Sequence, residues 1–196
     1  MYRTFKYNGK TINSSDGTIL CGIVNVTPDS FSDGGRWYSS EKAVAHALEL
    51  IRQGAGMLDI GGESTRPGST PVDAQEEIDR IVPVIRELKK HTDVPLSIDT
   101  WKASVAKAAI EVGADIINDI TGFVGDPDMA KVVGKSRAGA ILMFNPVIAR
   151  PDQPGAKIFP CFGGEGVFNQ EEIKKMSALP IQESMRFYLK RCIKIA

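Results

Sequence analysis

Five apolar runs with strand character recur along the chain, at residues 19–26, 57–62, 95–99, 115–119 and 139–144, and helix-type stretches separate them. A helix between two strands carries the chain back to the end from which it started, so the strands pair in parallel with right-handed crossovers. Parallel strands bring their C-terminal ends to one common edge, where α/β folds assemble their sites. Polar residues gather at these endings: Asn25, Glu63 through Arg66, Asp99, and Asn118 with Asp119. The repeat stops after about five units, whereas a closed α/β barrel takes eight.

The segments between the runs agree with this reading. Asn8 and Gly9 form a two-residue turn signal between residues 4–7 and 10–12, so residues 1–18 read as a hairpin, either a plug for the bottom of a barrel or a surface ornament. The first helix starts near Ser39 and Ser40 and ends at Gly54, a residue suited to a left-handed cap. The second opens at Asp73 with Glu76 at capping-box spacing, and Ile78, Ile81, Val82, Ile85 and Leu88 recur at helical spacing toward the sheet. The third runs from about Lys102 to Gly113, and the fourth starts at Asp126 with Pro127 in its first position.

Beyond residue 144 the pattern changes. Pro146, Pro151, Pro154 and Pro160, with several glycines, mark residues 145–169 as a long loop, either a functional lid or disordered. Helix character resumes at Gln170, breaks at Leu179 and Pro180, and continues through Met185, Leu189 and Ile193. The whole chain, residues 1–196, reads as a single domain.

Lys and Arg together number 24, as do Asp and Glu, so the charge balance argues for neither nucleic acid nor an acidic disordered tract. No apolar run is long enough to span a bilayer, and the first residues lack the apolar core of a secretory leader. Cys21, Cys161 and Cys192 are odd in number and far apart, which fits a reducing cytoplasm better than a disulfide framework or a zinc site. His46 and His91 both fall in helical surroundings, which argues against a histidine triad or multi-histidine metal centre.

The candidate chemistry sits in the loops after the strands. Residues 25–35 (NVTPDSFSDGG) offer an amide at Asn25, hard oxygen ligands at Asp29 and Asp33, an apolar group at Phe31 and a glycine hinge. A plain turn rich in Asp and Ser is the alternative. In the second loop the Arg66 guanidinium suits a pyrophosphate or carboxylate, unless it is an exposed Arg on a Gly/Pro loop. Asp99 ends an apolar strand, where a carboxylate needs a partner; it either meets a ligand or serves as a cap or structural ion pair for the helix starting near Lys102. Asn118 and Asp119 end the fourth run, and one of them could bond neighbouring loops. Asp59, inside the second run, reads as structural.

Taken together, residues 25–35, 59–68 (DIGGESTRPG), 97–100 (SIDT) and 117–120 (INDI) resemble the dihydropteroate synthase family, with four motifs in the right order across roughly residues 19–144. The resemblance implies a (β/α)8 TIM barrel, of which this chain covers about the first five β/α units behind an N-terminal hairpin. It implies a transferase of folate biosynthesis that joins 6-hydroxymethyl-7,8-dihydropterin pyrophosphate to p-aminobenzoate and releases pyrophosphate with Mg²⁺. Carried over by motif, Asn25 and Asp33 would hold the Mg²⁺–pyrophosphate cluster. Thr65 and Arg66 would contact the pterin pyrophosphate, Phe31 and Pro67 would line the p-aminobenzoate pocket, and Asp99 and Asn118 would bind the pterin edge. Asp33, Arg66 and Asp99 are the implied catalytic residues, and a homodimer is implied for full-length relatives.

The later strands of such enzymes supply an Asp in a Gly-rich motif, a pterin-contacting Lys and an Arg–His pair. The sequence after residue 144 shows no counterpart, and Met143, Phe144 and Asn145 depart from the Met-His-Met type of ending. The expectation is therefore a portion of a longer enzyme, with little activity of its own. Two alternatives stay open: a pterin-binding module like that of methyltetrahydrofolate methyltransferases, and a non-catalytic fragment. The first loop, with Phe31 and Asp33, favours the synthase.

Overall fold

The computed structural model describes residues 3–27, 36–64 and 71–142. The element order is a hairpin, β1 (Thr4–Tyr7) and β2 (Lys10–Asn13), followed by β3 (Cys21–Asn25), α1 (Arg36–Arg52), β4 (Met57–Gly61), α2 (Ala74–His91), β5 (Leu96–Asp99), α3 (Ala103–Glu111), β6 (Ile116–Asp119), α4 (Met129–Gly134) and β7 (Gly139–Leu142). Strands β3 to β7 form one parallel sheet in sequential order.

Sequential order separates two α/β plans. A doubly wound sheet reverses its order and places helices on both faces, whereas a barrel wall adds each strand beside the last and keeps every helix outside. This sheet follows the second plan. Val24, Ile60, Ile98 and Ile117 lie side by side in the register and face the helices, where each is fully buried. The flanking residues along the strands point to the other face, where Ile23 at the edge is 64 % exposed while Ser97 and Ile116 are fully buried. The described residues therefore make five successive strands of a (β/α)8 wall.

The helices seat where the apolar spacing placed them, with instructive exceptions. In α2, Ile81, Ile85 and Leu88 are fully buried and Ile78 and Val82 pack partly against the core, but Glu77 shares the buried face. Asp73 caps this helix by accepting from the Gln75 amide at 2.8 Å. Helix α1 begins at Arg36, ahead of the expected Ser39, and closes at Gly54, whose φ of +104° permits the amide of Ala55 to reach Leu50 O.

The fourth helix starts at Met129, not at Asp126. The Asp126 carboxylate is used elsewhere: Oδ2 accepts from the amide of Ala103 and Oδ1 from that of Asp128. It thus caps α3 from across the chain, where Lys102, in the cap position, makes no such side-chain bond.

The hairpin docks at the N-terminal ends of β6 and β7. Asn8 and Gly9 both take positive φ, as a tight two-residue turn demands. The Asn8 side chain donates to Asp115 Oδ1 at 3.0 Å and to Ala114 O, and its amide donates to Arg137 O. Phe5 lies so close to Gly139 that an added Cβ there would come within 2.7 Å of its ring. The expected loop at 145–169, the helix from Gln170 and the fifth run beyond Leu142 lie outside the described residues.

Candidate functional site

The inner face of the sheet carries the polar residues in two adjacent rows. The upper row, at the C-terminal rim, aligns Asn25, Gly61, Asp99 and Asn118 in register. The row below aligns Ile23, Asp59, Ser97 and Ile116. The alternation of strand residues dictates this: Asn25, Asp99 and Asn118 each lie two residues beyond a member of the lower row. The ladder continues past the strand ends, with the Val26 amide on Gly61 O and the Thr100 amide on Asn118 O, so the rim is held by backbone.

Gly61, between Asn25 and Asp99, leaves room at the centre of the upper row. A Cβ there would lie 3.6 Å from that of Asp99. Asn25 is exposed at the edge. Asp99 is partly buried, and its Oδ1 is shielded from solvent with no hydrogen-bond partner among the described residues. It does not cap α3, since Asp126 does. Burial, reinforced by the charges of Asp59, Glu77, Asp119 and Glu63, pushes its pKa up to about 7. In the ligand-free protein Asp99 is therefore protonated far more readily near neutral pH than an ordinary carboxylate. A buried carboxyl oxygen left unpaired is costly, and a ligand donor would satisfy it.

Asp59, read from the sequence as structural, bonds to the neighbouring strands of the sheet. Its Oδ1 accepts from the Ser97 hydroxyl at 2.6 Å and its Oδ2 from Asn118 Nδ2 at 3.1 Å, which places it directly beneath the upper row. Asp119, adjacent to Asn118 in sequence, faces the opposite side and is fully buried. It accepts from the amides of Thr121 and Phe123 and so shapes the loop after β6.

A second cluster braces the ends of the loop between β4 and α2. Glu63 Oε1 accepts from the Val72 amide at 2.9 Å, while its Oε2 accepts from Trp101 Nε1 and from Lys102 Nζ at 2.8 Å. Lys102 also donates to Glu77 Oε2 at 2.6 Å, and Arg80 donates to Gly62 O. Burial works against the Lys102 charge, but its bonds to Glu63 and Glu77 raise its pKa, whereas burial pushes Glu77 up. Sequence reasoning named Glu63 only within a polar strand ending and Lys102 only as a helix start, and it passed over Glu77 and the partners of Asp59. Glu77 alone left a sequence signal, a carboxylate one residue before the apolar stripe on α2.

Of the expected site residues, the structure brings Asn25, Asp99 and Asn118 into one row. Phe31, Asp33, Thr65, Arg66 and Pro67 lie outside the described residues. Among the described residues no group of three or more acidic, His or Cys side chains could hold a metal ion, and no helix is long and apolar enough to cross a membrane.

Comparison with known proteins bears on the same segments. A family model described as pterin binding enzyme matches residues 21–160. Dihydropteroate synthase from Clostridium beijerinckii is 51 % identical over 140 residues, covering 71 % of this chain and 52 % of that protein. The Bacillus subtilis dihydropteroate synthase is 48 % identical over 149 residues, covering 76 % of this chain and 51 % of its own length. The chain thus spans about half the length of the curated relatives it matches. Among solved structures, dihydropteroate synthase from Xanthomonas albilineans with 4-aminobenzoic acid superposes with a TM-score of 0.74 at 34 % identity, over 100 % of this chain and 63 % of that one. The Clostridium difficile enzyme, crystallised in the presence of pteroic acid, gives 0.72 at 40 % identity, over 91 % and 58 %. The family model alone spans well over half of the sequence, and the chain belongs to the pterin binding enzyme family.

Proposed function

We propose that this protein acts in folate biosynthesis as a dihydropteroate synthase, a transferase whose substrates are 6-hydroxymethyl-7,8-dihydropterin pyrophosphate and p-aminobenzoate. The observation that carries this reading is the alignment of Asn25, Asp99 and Asn118 in one register row at the rim, with an unpaired carboxyl oxygen on Asp99.

The reaction forms a C–N bond between the amine of p-aminobenzoate and the pterin methylene and breaks the C–O bond to pyrophosphate. The amine loses a proton to solvent. Being neutral at pH 7, it needs positioning more than a strong base. Positive charge develops on the methylene and negative charge on the departing pyrophosphate. Asp99 would accept N–H donors of the pterin and, once ionised, favour the developing positive charge; Arg66 would favour the departing anion. Thr65 would hold the same substrate, and Phe31 with Pro67 would flank the p-aminobenzoate ring.

Mg²⁺ fits the donor type at the rim. Asn25 presents an exposed amide oxygen, and Mg²⁺ takes few protein ligands beside water and phosphate oxygens. Asn25 with Asp33 would hold the ion, and the ion would supply charge neutralisation for pyrophosphate. We further place the protein in the cytoplasm, where an exposed free thiol such as Cys21 stays reduced, and read a homodimer as the state of the full-length enzyme.

The test is twofold. Calorimetry with a 6-hydroxymethylpterin should show binding to the folded chain, and a coupled assay on the full-length protein should show dihydropteroate formed from both substrates. Pterin binding without dihydropteroate would leave only a pterin-binding module. No binding to folded protein would remove the pterin reading altogether.

A further inference from the structure

The Asp59 carboxylate can only accept hydrogen bonds, and both of its oxygens are in use. Oδ1 takes the hydroxyl proton of the fully buried Ser97, and Oδ2 takes an N–H of Asn118. A carboxamide has two unlike ends of nearly the same shape, so its orientation is decided by what it faces. Against Asp59, only the NH₂ end of Asn118 is tolerated, because the reverse orientation would set a carbonyl oxygen against a carboxylate. The Asn118 carbonyl oxygen is thereby left for a ligand, and its neighbour in the register is Asp99. Two acceptor groups then stand side by side on the inner face.

We propose that Asp59 is a positioning residue that fixes which end of the Asn118 carboxamide meets the ligand, so that the rim selects a flat heterocycle presenting adjacent N–H donors over an isostere presenting a carbonyl there. The ligand half of this inference rests on the pterin reading above; the Asp59–Asn118 half does not. A pterin carries a ring N–H beside an exocyclic amino group, the complement of two neighbouring acceptors. Its 2-oxo counterpart, a lumazine, has nearly the same outline but turns a C=O toward Asn118.

The deciding variant is Asp59→Asn. It keeps size and shape, and Ser97 can still donate to its carbonyl oxygen. That leaves its NH₂ facing Asn118, which then turns its own oxygen inward. Calorimetry would compare 6-hydroxymethylpterin with 6-hydroxymethyllumazine. The unsubstituted protein should favour the pterin, and Asp59→Asn should cut that preference by about tenfold or more. A residue that merely supports the fold would weaken both compounds alike, so an unchanged ratio overturns the proposal even if both affinities fall. Ser97→Ala keeps the carboxylate and should keep the preference; its loss there would also overturn the proposal.

A ligand-free arm stands apart from the pterin reading. The side-chain amide protons of Asn118, followed by NMR, should exchange slowly in the unsubstituted protein and faster in Asp59→Ala. Equal exchange in the two would mean that Asp59 does not hold Asn118. Should the unsubstituted protein bind neither heterocycle, the pterin reading falls and the selectivity claim falls with it, while the exchange result still decides the Asp59–Asn118 bond.

Discussion

Lys102 Nζ lies 2.6 Å from Glu77 Oε2, an ion pair in which the carboxylate is fully buried and the ammonium nearly so. The same ammonium reaches Glu63, so one cation serves two carboxylates from different elements. Removing it would strand both. Lys102→Met is expected to destabilise the fold by about 3–5 kcal/mol, the usual cost of leaving a buried charge unpaired. Urea unfolding followed by circular dichroism checks this; a loss under about 1 kcal/mol would mean that water already satisfies the carboxylates.

Asp99 should trade stability for function. Its folded pKa is raised from 3.8 to about 7, so the folded state binds more protons than the unfolded chain between those values. Stability contributed by this group therefore falls as pH rises from about 4 to about 7, and the cost is fully present above pH 7. Asp99→Asn removes the charge. At pH 8 it is expected to raise the unfolding free energy, on the order of 2–4 kcal/mol, with little gain at pH 4. The same variant should weaken pterin binding. Unfolding curves at the two pH values, with calorimetry at pH 8, test both halves.

Arg66→Ala, in the full-length enzyme, should raise KM for the pterin pyrophosphate by about 10–100-fold, the worth of a charge-assisted hydrogen bond to an anion. KM for p-aminobenzoate should hold. Steady-state kinetics with each substrate varied in turn separates the two, and a change confined to p-aminobenzoate would remove Arg66 from the anion site.

Asn8 links the hairpin to the sheet through Asp115 and Ala114. Asn8→Ala loses both bonds and places a poorer residue at a φ of +42°. A loss of about 1–3 kcal/mol is expected. Hydrogen exchange of the β1–β2 amides should rise more than that of β4 and β5, and equal protection throughout would contradict hairpin docking.

Much of the sheet was legible because each strand ends in a change of residue type. Alternation of strand and helix gave the parallel order, and the polar endings at Asn25, Asp99 and Asn118 fell in one row because parallel register aligns them. What escaped is long-range. Asp126 resembles a cap for its own helix, and its carboxylate instead caps α3, whose own start carries Lys102. Asp59 sits inside a strand with no local sign of its function, since its partners Ser97 and Asn118 come from two other strands. Glu77 went unremarked because its counter-ion Lys102 lies beyond the end of α2. Local patterns report propensity and periodicity; pairing across the sheet requires the register.

Asn118 and Asp119 are covalent neighbours with opposite assignments: one amide turned inward to the rim, one carboxylate turned outward to pin the loop over α4. Their separation depends on nothing but the pleat. A single residue inserted or deleted in the turn ahead of β6 would exchange the two, sending a carboxylate into the cavity and leaving the amides of Thr121 and Phe123 facing a carboxamide. The turn at 112–115, at the opposite end of β6 from the rim, is therefore constrained in length as well as in its anchoring residues Gly113 and Asp115, and natural variation there should seldom run to gaps.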